Sequence, residues 1–130
     1  MSTTAVETPW ELSSDTASVT ARTPSGPVAE ARVSESGERV VVEFWAVPAA
    51  LPRGLATDLV VRAFALPAVR PRRPVLVCVP RCDGELLLQA RQFVQRAEVR
   101  AAGATCLIEG LVGTGLPTVP RSVPRPRPAR

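Results

Sequence analysis

The stretch from Val40 to Val79 constrains the fold of this chain more than any other segment. It opens with the apolar run VVVEFWAV, passes through a turn rich in proline, and closes with the apolar run PVLVCV. Such short valine-rich runs are typical of strands that are buried on both faces of a sheet. Between them, Pro52 suits the first turn of a helix, whose apolar residues follow an imperfect helical period. A strand, a helix and a second strand in this order predict a right-handed crossover with parallel pairing.

The flanking segments complete a small domain around this unit. Before it, the sequences ASVTART and VAEARV are separated by turn signals and lead into VVVEFWAV, which predicts an antiparallel meander of three strands. After it, Asp83 is a suitable N-cap for a helix with the sequence GELLLQARQFVQRA. The last segment, EVRAAGATCLIEGLV, predicts two strand segments with a bend or turn at Gly103. The sequence therefore predicts an α+β fold with one mixed sheet in the order β-β-β-α-β-α-β(-β).

Length and composition divide the chain into three parts. The 130 residues, 45% of them hydrophobic, are enough for one domain with a real core, which we assign to residues 17–112. Residues 1–16 are rich in serine, threonine and acids, and we predict a flexible N-terminal arm. Residues 113–130 are rich in proline and arginine, which predicts a disordered tail with polyproline-II character.

The positive charge of the chain belongs to the tail. The net charge is +4, and the tail carries no acid and the arginines Arg121, Arg125, Arg127 and Arg130. The remaining 12 arginines balance the 12 acidic residues. A domain that binds nucleic acid would be expected to carry a basic face of its own, so we expect no nucleic-acid partner.

The N-terminus and the cysteines indicate a cytoplasmic protein. The first residues lack the basic and apolar regions of a signal peptide, and no apolar run approaches the length of a membrane helix. We therefore expect no membrane association. The odd number of cysteines favours reduced thiols.

The basic residues limit the chemistry that is open to the chain. All 16 are arginine, and the absence of lysine and histidine removes the usual general bases near neutral pH. General acid–base catalysis would therefore depend on Asp, Glu, Cys or water.

The turn between the first apolar run and the first long helix carries a family resemblance. The sequence Arg53-Gly54-Leu55-Ala56, placed after the third strand, resembles part of the Arg/Gln-x-x-Gly-x-Gly/Ala motif of the GNAT family of N-acyltransferases. In that family the motif cradles the pyrophosphate of acyl-CoA with backbone amides at a helix N-terminus. The resemblance extends over residues 17–112 in element order but over only about four residues in motif. Ala56 stands in place of a glycine, Pro52 lies inside the loop, and no tyrosine is present to act as the general acid.

The resemblance implies a ligand, a site and an activity. It implies binding of acyl-CoA, or of another phosphorylated ligand, by Val47, Arg53, Gly54, Leu55, Ala56 and Thr57. It further implies that VVVEFWAV meets the acyl group, that PVLVCV splays away from it, and that Glu43 is the only candidate general base of an acyl-CoA-dependent N-acyltransferase. The alternatives are that Arg53-Gly54 forms an ordinary strand-to-helix turn and that Glu43 faces solvent.

Two other classes of function stay open at the level of the sequence. The first is a non-enzymatic interaction or regulatory module, for example a homodimer, because a small sheet with an exposed edge readily forms dimers. The second is a redox or metal sensor built from Cys78, Cys82 and Cys106. Three thiols without a histidine lack a fourth ligand for tetrahedral zinc, and cysteines in apolar strands behave as small hydrophobic residues. Only Cys82, beside Arg81 at a predicted helix start, has surroundings that lower a thiol pKa.

Overall fold

A computed structural model describes residues 9–81 and 83–114 of the chain. In this range the chain forms seven strands and two helices. Their bounds, in chain order, are β1 (Glu11–Ser14), β2 (Ser18–Thr23), β3 (Gly26–Ser36), β4 (Arg39–Ala46), α1 (Leu55–Phe64), β5 (Pro74–Pro80), α2 (Gly84–Arg91), β6 (Val94–Ala102) and β7 (Thr105–Val112).

All seven strands belong to one sheet, in the order β1-β2-β3-β4-β5-β7-β6. Strands β4 and β5 pair in parallel, and every other neighbouring pair in this order is antiparallel. The predicted meander and the parallel crossover through α1 are therefore both present. The predicted α+β class with a mixed sheet is confirmed, although the sheet is richer in strands than predicted.

Both helices pack on the same face of the sheet. Alternate strand residues such as Val19, Ala31, Val42, Val77 and Ile108 are fully buried and meet the apolar sides of α1 and α2. This alternation follows from the pleat, since successive side chains of a strand point to opposite faces. The opposite face, which we call the open face, is covered by no element among the described residues. The fold therefore has two layers, with its core between the helices and one side of the sheet.

The N-terminal segment differs from the predicted flexible arm. Within residues 1–16, Glu11–Ser14 form β1, an edge strand that pairs with β2. Asp15 makes the connecting turn, because its carboxylate accepts hydrogen bonds from the backbone amides of Ala17 and Ser18 at 2.8 Å each. These hydrogen bonds lower the pKa of Asp15, the bond from Ala17 most of all. Little in the sequence pointed to β1, because its residues are mostly polar and an acidic turn follows them.

The second helix is shorter than the sequence suggested. It ends at Arg91, and the chain enters β6 at Val94, whereas the periodicity predicted a helix that continues to Ala97. Phe93 lies at this junction and stacks on Phe64 of α1, with ring centroids 4.9 Å apart. Phe93 and Val94 are both apolar and buried just after the helix ends, so in the sequence they resemble the next apolar positions of the helix. The predicted turn at Gly103 is present between β6 and β7.

The C-terminal end of β7 is fixed by a hydrogen bond. Gly113 donates a hydrogen bond to the carbonyl of Phe93 at 2.8 Å, so the end of β7 is held against the α2–β6 junction. The rest of the predicted tail, from residue 115 onward, lies outside the described residues.

Neither α1 nor α2, the two helices of the described range, has the length and apolar character needed to cross a membrane.

Candidate functional site

The pairing of the parallel strands β4 and β5 stops before the strands end. Their pairing begins at Val40 and Val75 and stops at Glu43 and Cys78. The last three residues of β4 and the last two of β5 continue as strand without pairing to each other. The ladder therefore ends before the carboxyl ends of the only parallel pair in the described sheet.

Pro80 explains why the pairing stops there. Arg81 donates to the carbonyl of Ala104 in the turn before β7, and backbone groups of successive strand residues alternate in direction, so the backbone of residue 80 faces β4. The next parallel hydrogen bond would require an N–H at position 80 that donates to the carbonyl of Phe44. Proline has no N–H, so the ladder ends.

The same alternation leaves part of β4 without a strand partner. Val47 donates to the carbonyl of Val28 on the β3 side at 2.9 Å, which places the backbone groups of Ala46 on the side of β5. This level lies beyond the last paired residues, Glu43 and Cys78, so the ladder assigns the amide and carbonyl of Ala46 no partner on β5. Both backbone groups of Val47 are already engaged, since its carbonyl also accepts from Ala49 at 2.8 Å.

A groove of about 360 Å³ lies at this end of the sheet. One wall is the loop that follows β4, and the other is the start of α2, so that the lining residues are Val47, Pro48, Ala49, Ala50, Leu51, Asp83, Gly84 and Glu85. Crevices at the carboxyl ends of parallel strands are the usual place for ligands in open α/β sheets. We call this feature the β4–β5 groove.

The loop that lines the β4–β5 groove leads directly into the predicted Arg53–Thr57 turn. Gly54 is the N-cap of α1 and has a φ of 84°, a left-handed conformation that favours glycine. No described residue accepts a hydrogen bond from the backbone amides of Ala56 and Thr57, and no side chain caps the helix. The turn therefore leaves two amides without a backbone partner at the positive end of the helix dipole.

Two features limit access to this turn. Leu55 and Ala56 are buried as whole residues, so their backbone amides are shielded from solvent together with their side chains, and Thr57 is half-buried. The indole of Trp10 lies beside Gly54, because a Cβ added at that glycine would be 3.8 Å from Cζ2 of Trp10. Arg53 is exposed, so its guanidinium can reach an anion from the solvent side.

The charges around the β4–β5 groove are mixed. Asp83 and Glu85 bring carboxylates to the wall formed by α2. Asp83 serves the fold, since its carboxylate accepts a hydrogen bond from the amide of Leu86 at 3.1 Å and caps the helix. Glu85 is exposed and free to act on a ligand. Arg53 does not line the groove, so an anion would be repelled by Glu85 inside it and attracted by Arg53 only at the turn that follows.

Glu43 lies on the open face of the sheet, apart from the β4–β5 groove. It neighbours Arg32 on β3 and Cys78 on β5 in the register, and its side chain is exposed. Burial raises the pKa of the Cys78 thiol, and the negative charge of Glu43 raises it further. The Cys78 thiol is therefore kept protonated at neutral pH.

The described cysteines do not form a common site. Cys78 pairs with Leu107 and Cys106 pairs with Val79, so the two thiols lie on opposite faces of the sheet. Residues 9–81 and 83–114 contain no group of three His, Cys, Asp or Glu side chains that could hold a metal ion. Cys82, the third predicted member, lies outside the described residues.

The predicted site residues thus occupy three places. Val47 lines the β4–β5 groove, Arg53 to Thr57 form the turn that follows it, and Glu43 lies on the open face. Sequence reasoning missed Ala46 and Pro80, although a proline at the end of an apolar strand was a usable signal for a ladder that stops early. Comparison of the sequence with models of known protein families and with curated proteins finds no match.

Proposed function

We propose that the protein binds a phosphorylated ligand of the acyl-CoA type in the β4–β5 groove, with its phosphates at the Arg53–Thr57 turn. The observation that carries this proposal is the groove that lies beyond the last paired residues of β4 and β5, between the loop after β4 and the start of α2. A groove at the carboxyl ends of parallel strands is a usual place for a ligand.

The groove suits an extended chain that contains amide groups. The ladder with β5 assigns the amide and carbonyl of Ala46 no partner, so an amide of a ligand bound beside them would pair with them as a further strand would. The pantetheine arm of an acyl-CoA is an extended chain of this chemistry. The largely apolar lining from Val47 to Leu51 provides contact for its methylene groups.

The turn after the groove suits the phosphates of the same ligand. The amide of Thr57, a half-buried residue, has no backbone partner at the positive end of α1, and Arg53 adds a full charge beside it. Backbone donors at a helix N-terminus are a common arrangement for phosphate binding. Because Glu85 opposes this attraction, we expect an affinity that is modest and falls as salt is added.

The proposal is for binding rather than for acyl transfer. The likeness to the GNAT family would assign Glu43 as the base, but Glu43 is on the open face and does not line the β4–β5 groove. A ligand held in the groove would therefore be apart from Glu43, the base that the likeness assigns. A regulatory or ligand-sensing role fits this separation better than catalysis.

Replacement of Arg53 by alanine is expected to weaken binding of CoA about fivefold, or about 1 kcal/mol, as is typical of one partly solvated charged contact. Titration calorimetry with CoA and with acetyl-CoA at low ionic strength measures this change. The matched control is Arg91→Ala, which removes another exposed arginine at the far end of α2. No binding to the unmodified protein at millimolar CoA, or equal losses in the two variants, would contradict the proposal.

A further inference from the structure

Strand β6 is an edge of the sheet and has no neighbour on its outer side among the described residues. From residue 97 to residue 101 its sequence is Ala-Glu-Val-Arg-Ala. Val99, in the middle of this segment, is 40% exposed, although the residue beside it on β7, Ile108, is fully buried in the core. An edge strand with an exposed valine offers a place for a further strand.

The backbone groups of Val99 point away from the sheet. Arg72 donates to the carbonyl of Val112, and Val112 donates to the carbonyl of Arg73, so both backbone groups of Val112 face β5. Because these directions alternate along a strand, the backbone groups of Ile108 also face β5 rather than β6. Val99 lies opposite Ile108 and therefore turns its own amide and carbonyl to the outer side, where no described strand pairs with them.

The two charged residues beside Val99 differ in the partners that they find within the chain. Arg100 pairs with Glu109 on β7 at 2.8 Å, and Arg39 pairs with the same carboxylate. Glu98 lies directly opposite Glu109, an arrangement of like charges that destabilises a sheet, and it forms no ion pair with any described residue. Glu98 is therefore suited to a basic residue that comes from outside the chain.

A second copy of β6 fits this edge in an antiparallel register centred on Val99. A two-fold axis perpendicular to the sheet sets the two Val99 residues opposite each other, so that each donates its amide to the carbonyl of the other. The same register sets Glu98 opposite Arg100 of the second copy, and Arg100 opposite Glu98 of the second copy. Because a guanidinium has five N–H donors, Arg100 keeps its bond to Glu109 while it meets the second carboxylate.

Other two-fold registers along β6 match less well. An axis at Glu98 or at Arg100 sets two like charges directly opposite each other. An axis at Ala101 sets both charged residues opposite alanines near the turn before β7. An axis at Ala97 falls in the bulge between Gln95 and Glu98, where the strand is irregular. The register centred on Val99 is therefore the one in which the backbone and the charges agree.

We propose that two copies of the chain associate through β6, antiparallel and centred on Val99, to form one continuous sheet. On the helix side, where Ala97 packs against the core, this register sets Val99 against Val99 and Ala97 against Ala101, so that side of the contact is apolar. The contact is smaller than the roughly 800 Å² that each partner buries in a standard interface, so we expect a dissociation constant of about 10 µM. No residue of β6 lines the β4–β5 groove, so this inference is independent of the ligand proposed there.

Sedimentation velocity of the full-length protein between about 1 µM and about 200 µM tests this proposal on both sides of the expected constant. The mass should rise from the 13.8 kDa of one chain towards twice that value. Val99→Pro removes the outward amide but no hydrogen bond between β6 and β7, so we expect the mass of one chain throughout and an unchanged circular dichroism spectrum. The mass of one chain for the unmodified protein at every concentration would overturn the proposal.

A charge exchange tests the register. Glu98→Arg and Arg100→Glu should each raise the dissociation constant at least tenfold, because each sets like charges together at two places related by the axis. The double variant restores both pairs and should recover most of the affinity. The control is Arg22→Glu on β2, which repeats the charge change of Arg100→Glu at an exposed position away from β6 and should leave the affinity unchanged. Failure of the double variant to recover would overturn the register, and a folded Val99→Pro variant that dimerises as the unmodified protein does would overturn pairing through β6.

Discussion

The Gly110→Ala variant is expected to lose about 3 kcal/mol of unfolding free energy, because the added methyl group has no space. A Cβ at this position would lie 2.4 Å from the carbonyl oxygen of Gln95 and 2.6 Å from Cγ1 of Val94. The carbonyl belongs to the backbone of β6 and cannot turn aside as a flexible side chain would. Relief of the clash therefore requires β6 to move away from β7.

The cause of this close approach is a bulge in β6. The register between β6 and β7 shifts between Gln95 and Glu98, and Arg96 within the bulge has a φ of 57°. The bulge folds the backbone of β6 over Gly110, so the two features depend on each other. The apolar residues around this position, including Val94 and Val112, are part of the core and would lose contact if β6 moved.

Denaturation by urea at a fixed protein concentration measures the loss, and Gly84→Ala is the matched control. Gly84 is the first residue of α2, and nothing lies within 4 Å of a Cβ added there. Alanine favours a helix more than glycine does, so this control should change the unfolding free energy by less than about 1 kcal/mol, in the stabilising direction. A Gly110→Ala variant as stable as the unmodified protein would contradict the close approach of the β6 backbone to Gly110.

The Ala50→Trp variant is expected to weaken binding of CoA at least tenfold while leaving the fold intact. Ala50 lies in the loop after β4, is exposed, and lines the β4–β5 groove. An indole at this position occupies much of the volume that the ligand would fill. Because the side chain replaces solvent rather than core, we expect the unfolding free energy to change by less than about 0.5 kcal/mol.

Calorimetric titration with CoA compares this variant with Ala65→Trp. Ala65 is the exposed C-cap residue of α1, so the control adds the same indole at the opposite end of that helix. The control should bind CoA as the unmodified protein does. Equal binding of CoA by the two tryptophan variants would show that the ligand does not bind in the β4–β5 groove.

The central unit of the fold was predictable from the sequence because several signals agreed there. Valine-rich runs at both ends, Pro52 before the helix and the length of the connection all pointed to a parallel crossover, and β4, α1 and β5 form one. The short edge strand Glu11–Ser14 was not predictable, because its polar residues bury little and its place depends on pairing with β2. The early end of α2 depends on the packing of Phe93 against Phe64, a contact between distant parts of the chain.

The candidate site was predictable only in part. Gly54 and the amides without a backbone partner after it follow from a local sequence pattern, because a strand-to-helix turn needs a residue with positive φ at this point. The lack of a strand partner for Ala46 depends on the neighbour that β4 finds in the sheet and on the proline at position 80 of that neighbour. Glu43 lies apart from the groove because it is on the face of β4 that does not meet the helices. Tertiary packing decides which face of β4 meets them.

The most direct test of the ligand site is the map of backbone amide chemical shifts in the unmodified protein as CoA is added. We expect the changes to concentrate at Ala46, Ala56, Thr57 and Glu85, which surround the β4–β5 groove and the turn after it. The open face, reported by Glu43 and Trp45, should change little. The absence of changes at millimolar CoA, or changes confined to the open face, would contradict the proposal that the β4–β5 groove is a ligand site.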